Sequence, residues 1–265
     1  MSKRVNICMC VKDRQSTVKT SIDSILKQTF DDYMILLCDD GSSDMTINTL
    51  LEYQARFPDK VVAWQNPEPG YINAHNFILS KTDSDYICFI DSDDFVDEKK
   101  LYEQVKFLDE NPDVDIVSSC VMLPNKKVLI NSFVELDNKT ISEALQKGMP
   151  ISTICHFGSV MFRRKCLEKF TNNIYFYDEY NTGRCGDGFL YTLHFLGYKF
   201  ANIISTIYIY SKGLIKNSLT NTVNPEFANS MDLLDYENKK LFTLEMFNNY
   251  NPQKKKRGRP KKTTI

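Results

Sequence analysis

The strongest constraint on this chain is an alternation that runs through its N-terminal third. Apolar, β-forming runs at Val5–Val11, Tyr33–Cys38, Val61–Trp64 and Tyr86–Ile90 are separated by stretches whose apolar residues recur at helical spacing. Val18, Ile22, Ile25 and Leu26 fall at i, i+4, i+7 and i+8; Ile47, Leu50 and Leu51 follow the turn Gly41-Ser42-Ser43-Asp44; Ala74 to Leu79 make a third helical stretch. Strands that alternate with helices are joined by right-handed crossovers, which make them parallel. The pattern predicts an α/β domain with a mostly parallel, Rossmann-like sheet flanked by helices. A further stripe at Leu101, Val105 and Leu108, stopped by Asn111-Pro112, precedes a strand at Val114–Val121.

Beyond Leu123 the regularity fades. Residues 124–186 read as short strands and loops with a helix near Ile141–Lys147, followed by a helix over Phe189–Leu196 and a strand pair over Tyr198–Tyr210. Residues 226–248 read as one long amphipathic helix that packs back on the domain. The chain is thus divided into 1–123 and 124–222, two halves of one domain, a C-terminal helix over 223–250, and a disordered basic tail over 251–265.

With 42% hydrophobic and 25% charged residues, the chain is neither disordered nor fibrous. Its longest stretch without Asp, Glu, Lys or Arg, Gly148–Phe162, is 15 residues, too short for a bilayer-spanning helix. Ser2-Lys3-Arg4 is followed by an apolar run that ends at Lys12-Asp13-Arg14, too soon charged for a secretory signal. The expected location is cytoplasmic, with the cytosolic membrane face and the nucleus as alternatives. The eight cysteines show no C-x-x-C pair and sit largely in apolar runs, which predicts reduced core thiols. Residues 254–262 hold seven of the 33 basic groups and no acid, so the remainder carries 26 basic against 34 acidic groups. The body is acidic and the tail basic.

In an open parallel sheet, ligands bind at the carboxyl ends of the strands. Here the second strand runs into Asp39-Asp40-Gly41-Ser42-Ser43-Asp44 and the fourth into Asp91-Ser92-Asp93-Asp94. Carboxylates crowded in this way repel one another unless a cation sits among them, and a D-x-D spacing aims alternate side chains at one ion. A hard divalent cation is expected. Helix capping is the competing explanation, and it suits Asp44 and Asp94 better than Asp91 or Asp93.

These segments resemble the family 2 glycosyltransferases of GT-A fold. Val5-Asn6-Ile7-Cys8-Met9-Cys10-Val11, Ser21-Ile22-Asp23-Ser24-Ile25-Leu26-Lys27-Gln28-Thr29-Phe30, Asp39-Asp40-Gly41-Ser42-Ser43-Asp44 and Tyr86-Ile87-Cys88-Phe89-Ile90-Asp91-Ser92-Asp93-Asp94 match the family's motifs in order and spacing. The match is dense to about Asp97 and thinner to about Thr220. The resemblance implies that 1–123 is the nucleotide-sugar-binding half and 124–222 the acceptor-binding, catalytic half. On the donor side it places Cys10, Val11 and Lys12 beside a uracil, with Asp40 (or Asp39) accepting its imide N–H. Asp93 would bind Mn²⁺ or Mg²⁺ between the two phosphates. Asp91 would lie near the ribose or reach the metal through water, with Ser92 on the same donor side, and Gly70 and Asn76 approach the donor. Cys185-Gly186-Asp187-Gly188-Phe189-Leu190 resembles the family's late motif and makes Asp187 the general base; an N-cap role for Asp187 is compatible with it.

Several residues depart from the family pattern. Its Pro and Tyr of the opening strand are Cys10 and Lys12 here, its Arg before Asn76 is His75, and its commoner Glu before Asp187 is Gly186. Its late His is missing from Tyr210–Thr220, which offers Lys212 and Lys216; Lys216 either contacts the diphosphate or is a solvated loop residue. His156 reads as semi-buried, with an acceptor contact as the alternative.

The implied reaction is an inverting, metal-dependent transfer of a hexosyl or N-acetylhexosaminyl group from a nucleotide donor, UDP first, to a glycan, protein or small-molecule acceptor. A different class of function rests on the tail. Lys254-Lys255-Lys256-Arg257-Gly258-Arg259-Pro260-Lys261-Lys262 resembles an AT-hook and suits equally a nuclear-localisation signal, an anionic membrane surface or a solubilising arm. On that reading the protein is a non-catalytic GT-A scaffold that binds nucleic acid or another anionic partner. A nucleotidyltransferase is disfavoured because residues 10–20 contain no glycine for a phosphate loop.

Overall fold

The structure, a computed structural model, describes residues 3–122, 136–170, 175–176 and 185–209, with the single positions 236, 237, 240, 244 and 248. The alternating N-terminal pattern folds as β1 (Val5–Val11), α1 (Val18–Leu26), β2 (Tyr33–Asp39), α2 (Thr46–Arg56), β3 (Val61–Gln65), α3 (Tyr71–Ser80) and β4 (Tyr86–Phe89). β1 lies between β2 and β4, parallel to both, and β2 is parallel to β3. The side-chain alternation of β1 explains the layering. Val5, Ile7, Met9 and Val11 point to one face and pack with Val18, Ile22 and Ile25 of α1 and Leu50 and Tyr53 of α2, whereas Cys8 points to the other face with Ala74, Ile78 and Leu79 of α3.

The sheet continues with β5 (Phe95–Val96), α4 (Lys100–Glu110) and β6 (Ile116–Met122), then α5 (Asn138–Gln146), the single turn α6 (Ile151–Ile154), β7 (Met161–Arg163), α7 (Cys185–Phe195) and β8 (Phe200–Ile209). The eight strands run in the order β3-β2-β1-β4-β7-β6-β8-β5. β7 pairs antiparallel with both β4 and β6, and β5 antiparallel with β8, so a mostly parallel sheet carries two antiparallel strands. α5 starts at an N-cap, Asp137, whose carboxylate accepts the Thr140 N–H at 2.8 Å.

Two expectations change here. The strand pair over Tyr198–Tyr210 is one strand, β8, because no Gly or Pro in it supplies a hairpin turn. It bulges instead, its register with β6 passing from Ser119–Ile203 to Cys120–Ile207. The helix expected over Phe189–Leu196 begins at Cys185, which takes Asp187 from a cap into the first turn.

The seven cysteines whose side chains are described are free thiols, six of them buried. Of the C-terminal helix, the five described positions are helical. Tyr236 packs on α7, its hydroxyl 2.9 Å from His194 Nε2 and its ring 5.4 Å from that of Phe195. Lys212, Lys216 and the tail 251–265, including 254–262, lie outside the described residues.

Candidate active site

The loops after β1 and β2 are stapled together. Asp13, in the left-handed region at φ 51°, accepts the Ser43 N–H at 2.7 Å and donates its own N–H to Ser42 Oγ at 2.9 Å. The Arg14 N–H donates to Thr46 Oγ1 at 2.9 Å, and Asp44 accepts the Gln15 N–H at 3.1 Å and the Thr46 N–H at 2.9 Å. Asp44, one residue before the N-cap Met45, therefore ties the first N–H of α2 to the facing loop.

Asp40, 5% exposed, sits at the end of β2. Its Oδ1 accepts two donors, Asn66 Nδ2 at 2.7 Å and the Gly70 N–H at 2.6 Å, and its Oδ2 lies 4.0 Å from Lys12 Nζ. Gly70 reaches it with φ 145°, a conformation that favours glycine. Asp39 is fully buried; Oδ2 accepts the Ser42 N–H at 3.1 Å, while Oδ1 has no hydrogen-bond partner among the described residues. Val11 turns its side chain into the core and offers this region its carbonyl, which accepts the Asp40 N–H at 2.7 Å. Cys10 is half-buried, in register with Cys38, and burial pushes its thiol well up.

β4 ends in the second acidic segment. Burial, followed by the charge of Asp93, raises the Asp91 carboxyl to about 7. Asp93 faces a cation that the motifs did not single out: Arg14 Nε lies 3.7 Å from Asp93 Oδ2, both side chains being mostly buried. Ser92 is buried and its carbonyl accepts the Thr17 hydroxyl at 3.3 Å. Asp94, 1% exposed, accepts the hydroxyl proton of Tyr208 at 2.6 Å. That phenol oxygen also lies 3.4 Å from the Asp91 N–H and from Asp91 Oδ2. Tyr208 comes from β8, 114 residues along the chain, and no local pattern marks it. His156 is half-buried with its ring 5.4 Å from that of Tyr208.

The turn after α6 fits between these groups and α7. A Cβ at Gly158 would overlap the Tyr208 hydroxyl, and one at Gly186 would stand 2.7 Å from the Phe157 ring. The glycine before Asp187 is therefore set by packing: the family's commoner Glu has no room there. Asp187 itself is half-buried in the first turn of α7.

Two positions that the resemblance puts near the donor make contacts within the fold. His75 packs among Tyr71, Phe89 and Phe176, its Nδ1 2.7 Å from the Tyr71 carbonyl, and burial lowers its pKa to about 4. It is a neutral core residue where the family has an arginine. Asn76 bonds residues 175–176 through both ends of its amide: Nδ2 donates to the Phe176 carbonyl at 2.9 Å and Oδ1 accepts the Tyr175 and Phe176 N–H groups at 2.8 Å.

Asp91 and Asp93 offer the hard oxygen donors that Mn²⁺ and Mg²⁺ take, and their mutual repulsion is the kind a cation relieves. The residues fit the ion. Among the described residues no three His, Cys, Asp or Glu side chains converge into a closed cage, so an ion here would complete its shell with phosphate or water oxygens. No described helix is long and apolar enough to cross a membrane.

Comparison with known proteins agrees with this architecture. S. aureus TarS (residues 1–349, with UDP-GlcNAc) superposes with a TM-score of 0.68 at 17% identity, covering 93% of this chain and 72% of that one. The mannosyltransferase PcManGT of Pyrobaculum calidifontis, with GDP-Man and Mn²⁺, superposes with a TM-score of 0.65 at 17% identity, covering 91% and 65%. The fold is the GT-A fold. The Escherichia coli UDP-Glc:alpha-D-GlcNAc-diphosphoundecaprenol beta-1,3-glucosyltransferase WfgD is 30% identical over 144 residues, 54% of this chain and 55% of that protein. The chain spans about half the length of the curated relatives it matches. The model of Glycosyl transferase family 2 matches residues 6–171, from β1 through β7, and the chain belongs to that family.

Proposed function

We propose that the protein is an inverting glycosyltransferase that moves a hexosyl or N-acetylhexosaminyl group from a UDP-sugar to an acceptor hydroxyl. The observation that carries this reading is the pairing of two acidic strand ends, Asp40 beside Lys12 after β2 and Asp91 with Asp93 after β4, at the carboxyl ends of two parallel strands that flank β1. Retention of Asp40, Asp91, Asp93 and Asp187 within a family 2 chain favours the enzyme over the non-catalytic scaffold.

The geometry around Asp40 supports uridine. Oδ1 accepts from Asn66 and Gly70, which leaves Oδ2 as the open acceptor, next to the Lys12 ammonium as a donor. That pair matches the imide edge of uracil, an N–H beside a carbonyl. Guanine presents an N–H beside a carbonyl as well, but adds an adjacent amino group that would call on the second carboxylate oxygen, which Asn66 and Gly70 already occupy. UDP-GlcNAc in TarS and the UDP-Glc of WfgD point the same way, whereas PcManGT binds GDP-Man.

Chemistry then divides among the chain's own residues. Asp93, with Asp91, holds the divalent cation, which when bound supplies positive charge against the leaving diphosphate. Asp187 takes the proton of the acceptor hydroxyl as it attacks, and a single displacement inverts the anomeric centre.

Calorimetric titration of UDP with Mn²⁺, and again with EDTA, tests the donor site. Metal-dependent binding that fails in Asp93→Ala supports it, and equal binding in all three conditions removes the metal from the reading. A product of retained anomeric configuration would refute the inverting mechanism.

A further inference from the structure

The guanidinium that faces Asp93 is held by more than that carboxylate. Arg14 Nη1 donates to the carbonyls of Lys12 at 3.2 Å and Asp13 at 3.1 Å, and the Arg14 backbone is tied to Thr46 Oγ1 across the stapled loops. Its side chain is 11% exposed and that of Asp93 19%, so the two charges meet with little water between them. Asp91 also feels the Arg14 charge. The carboxylates placed to hold a divalent cation thus already face a cation, seated by its own loop.

We propose that Arg14 is a resident counter-cation that competes with the divalent ion for Asp93 and turns to the donor's diphosphate once that ion is in place. The inference rests on the donor-site reading above and adds a residue to it. A guanidinium and a divalent ion at one carboxylate repel each other, so uptake of the metal alone must displace Arg14 from Asp93. The diphosphate changes the balance. It brings two phosphate groups to the same place, and a guanidinium fork held within reach by the Lys12 and Asp13 carbonyls is suited to their oxygens. The device disfavours metal without nucleotide and favours the two together.

The test measures two ligands on wild type, Arg14→Gln, Arg14→Lys and Asp93→Asn: Mn²⁺ alone, followed by the electron paramagnetic resonance signal of the free ion, and UDP at saturating Mn²⁺, by calorimetry. Removing the competitor restores the fraction of protein open to metal, so Arg14→Gln should bind Mn²⁺ alone about tenfold more tightly. It should bind UDP about tenfold or more weakly, and Arg14→Lys should recover much of the UDP affinity. Opposite signs for the two ligands support the proposal, because a merely damaged loop weakens both. An unchanged or weaker affinity for Mn²⁺ alone in Arg14→Gln, with binding abolished in Asp93→Asn, overturns it and leaves the donor-site reading standing. Mn²⁺ binding that survives Asp93→Asn overturns the metal assignment and this proposal with it.

Discussion

Tyr208 and Asp94 meet at 2.6 Å, hydroxyl to carboxylate, and join the β8 strand to the loop that carries the paired carboxylates. The same phenol oxygen stands 3.4 Å from the Asp91 N–H, so one side chain braces both ends of the acidic segment. Burial keeps the phenol protonated and therefore a donor. Tyr208→Phe should lower stability by about 1–3 kcal/mol, since Asp94 loses a buried donor. It should also weaken UDP binding at saturating Mn²⁺; a denaturation midpoint and a UDP titration read the two effects separately.

The glycines around Asp187 should respond unequally. Gly186 faces the Phe157 ring at close range, whereas a Cβ at Gly188 meets nothing within 4 Å. Gly186→Ala should cost about 1–3 kcal/mol by overpacking. Gly188→Ala should be neutral or gain up to about 1 kcal/mol, because alanine is the better helix residue. Urea unfolding of the two variants decides the order, and the reverse order would show that the turn at Phe157 yields to α7.

Acid should unfold the protein in part through His75. Its folded pKa of about 4 lies below the ordinary histidine value, so the unfolded chain binds the proton more readily. Stability is complete above about pH 6.5 and declines as pH falls toward 4, by on the order of 3 kcal/mol for this group. His194, lowered by burial to about 4 as well, adds to the same trend. Chemical denaturation at pH 7 and pH 4.5, compared between wild type and His75→Phe, should show a smaller loss in the variant.

Asn76 and Asp187 separate structure from chemistry. Asn76→Ala removes three hydrogen bonds to residues 175–176 and should cost about 2 kcal/mol. Its effect on UDP affinity should be small; a large loss of affinity at unchanged stability would return Asn76 to the donor site. Asp187→Asn should leave stability and UDP binding near wild type while reducing kcat by about 10²- to 10⁴-fold.

The parts of the fold legible in the sequence are those encoded locally. β1 through β4 and the helices between them announce themselves because each strand is a short apolar run and each helix a stripe of period 3.6. β7 is three residues long and antiparallel and leaves no periodic trace, whereas β8 reads as extended but its bulge makes one strand look like a pair. At the site, the motif residues Asp39, Asp40, Asp91 and Asp93 stand out by type and spacing. Arg14 and Tyr208 do not, since their meaning lies in what they face across 79 and 114 residues of chain. Gly186 is visible as a departure, but its cause, Phe157, belongs to another segment.

The hydrogen bonds that tie Asp13, Arg14 and Gln15 to Ser42, Ser43, Asp44 and Thr46 have an evolutionary consequence. Two loops laced residue by residue drift as one, because an insertion in either breaks the lacing of both. A single-residue replacement beside the lacing, such as one at Lys12, leaves it whole, so a change of nucleotide preference should be reachable by point mutation without loop exchange.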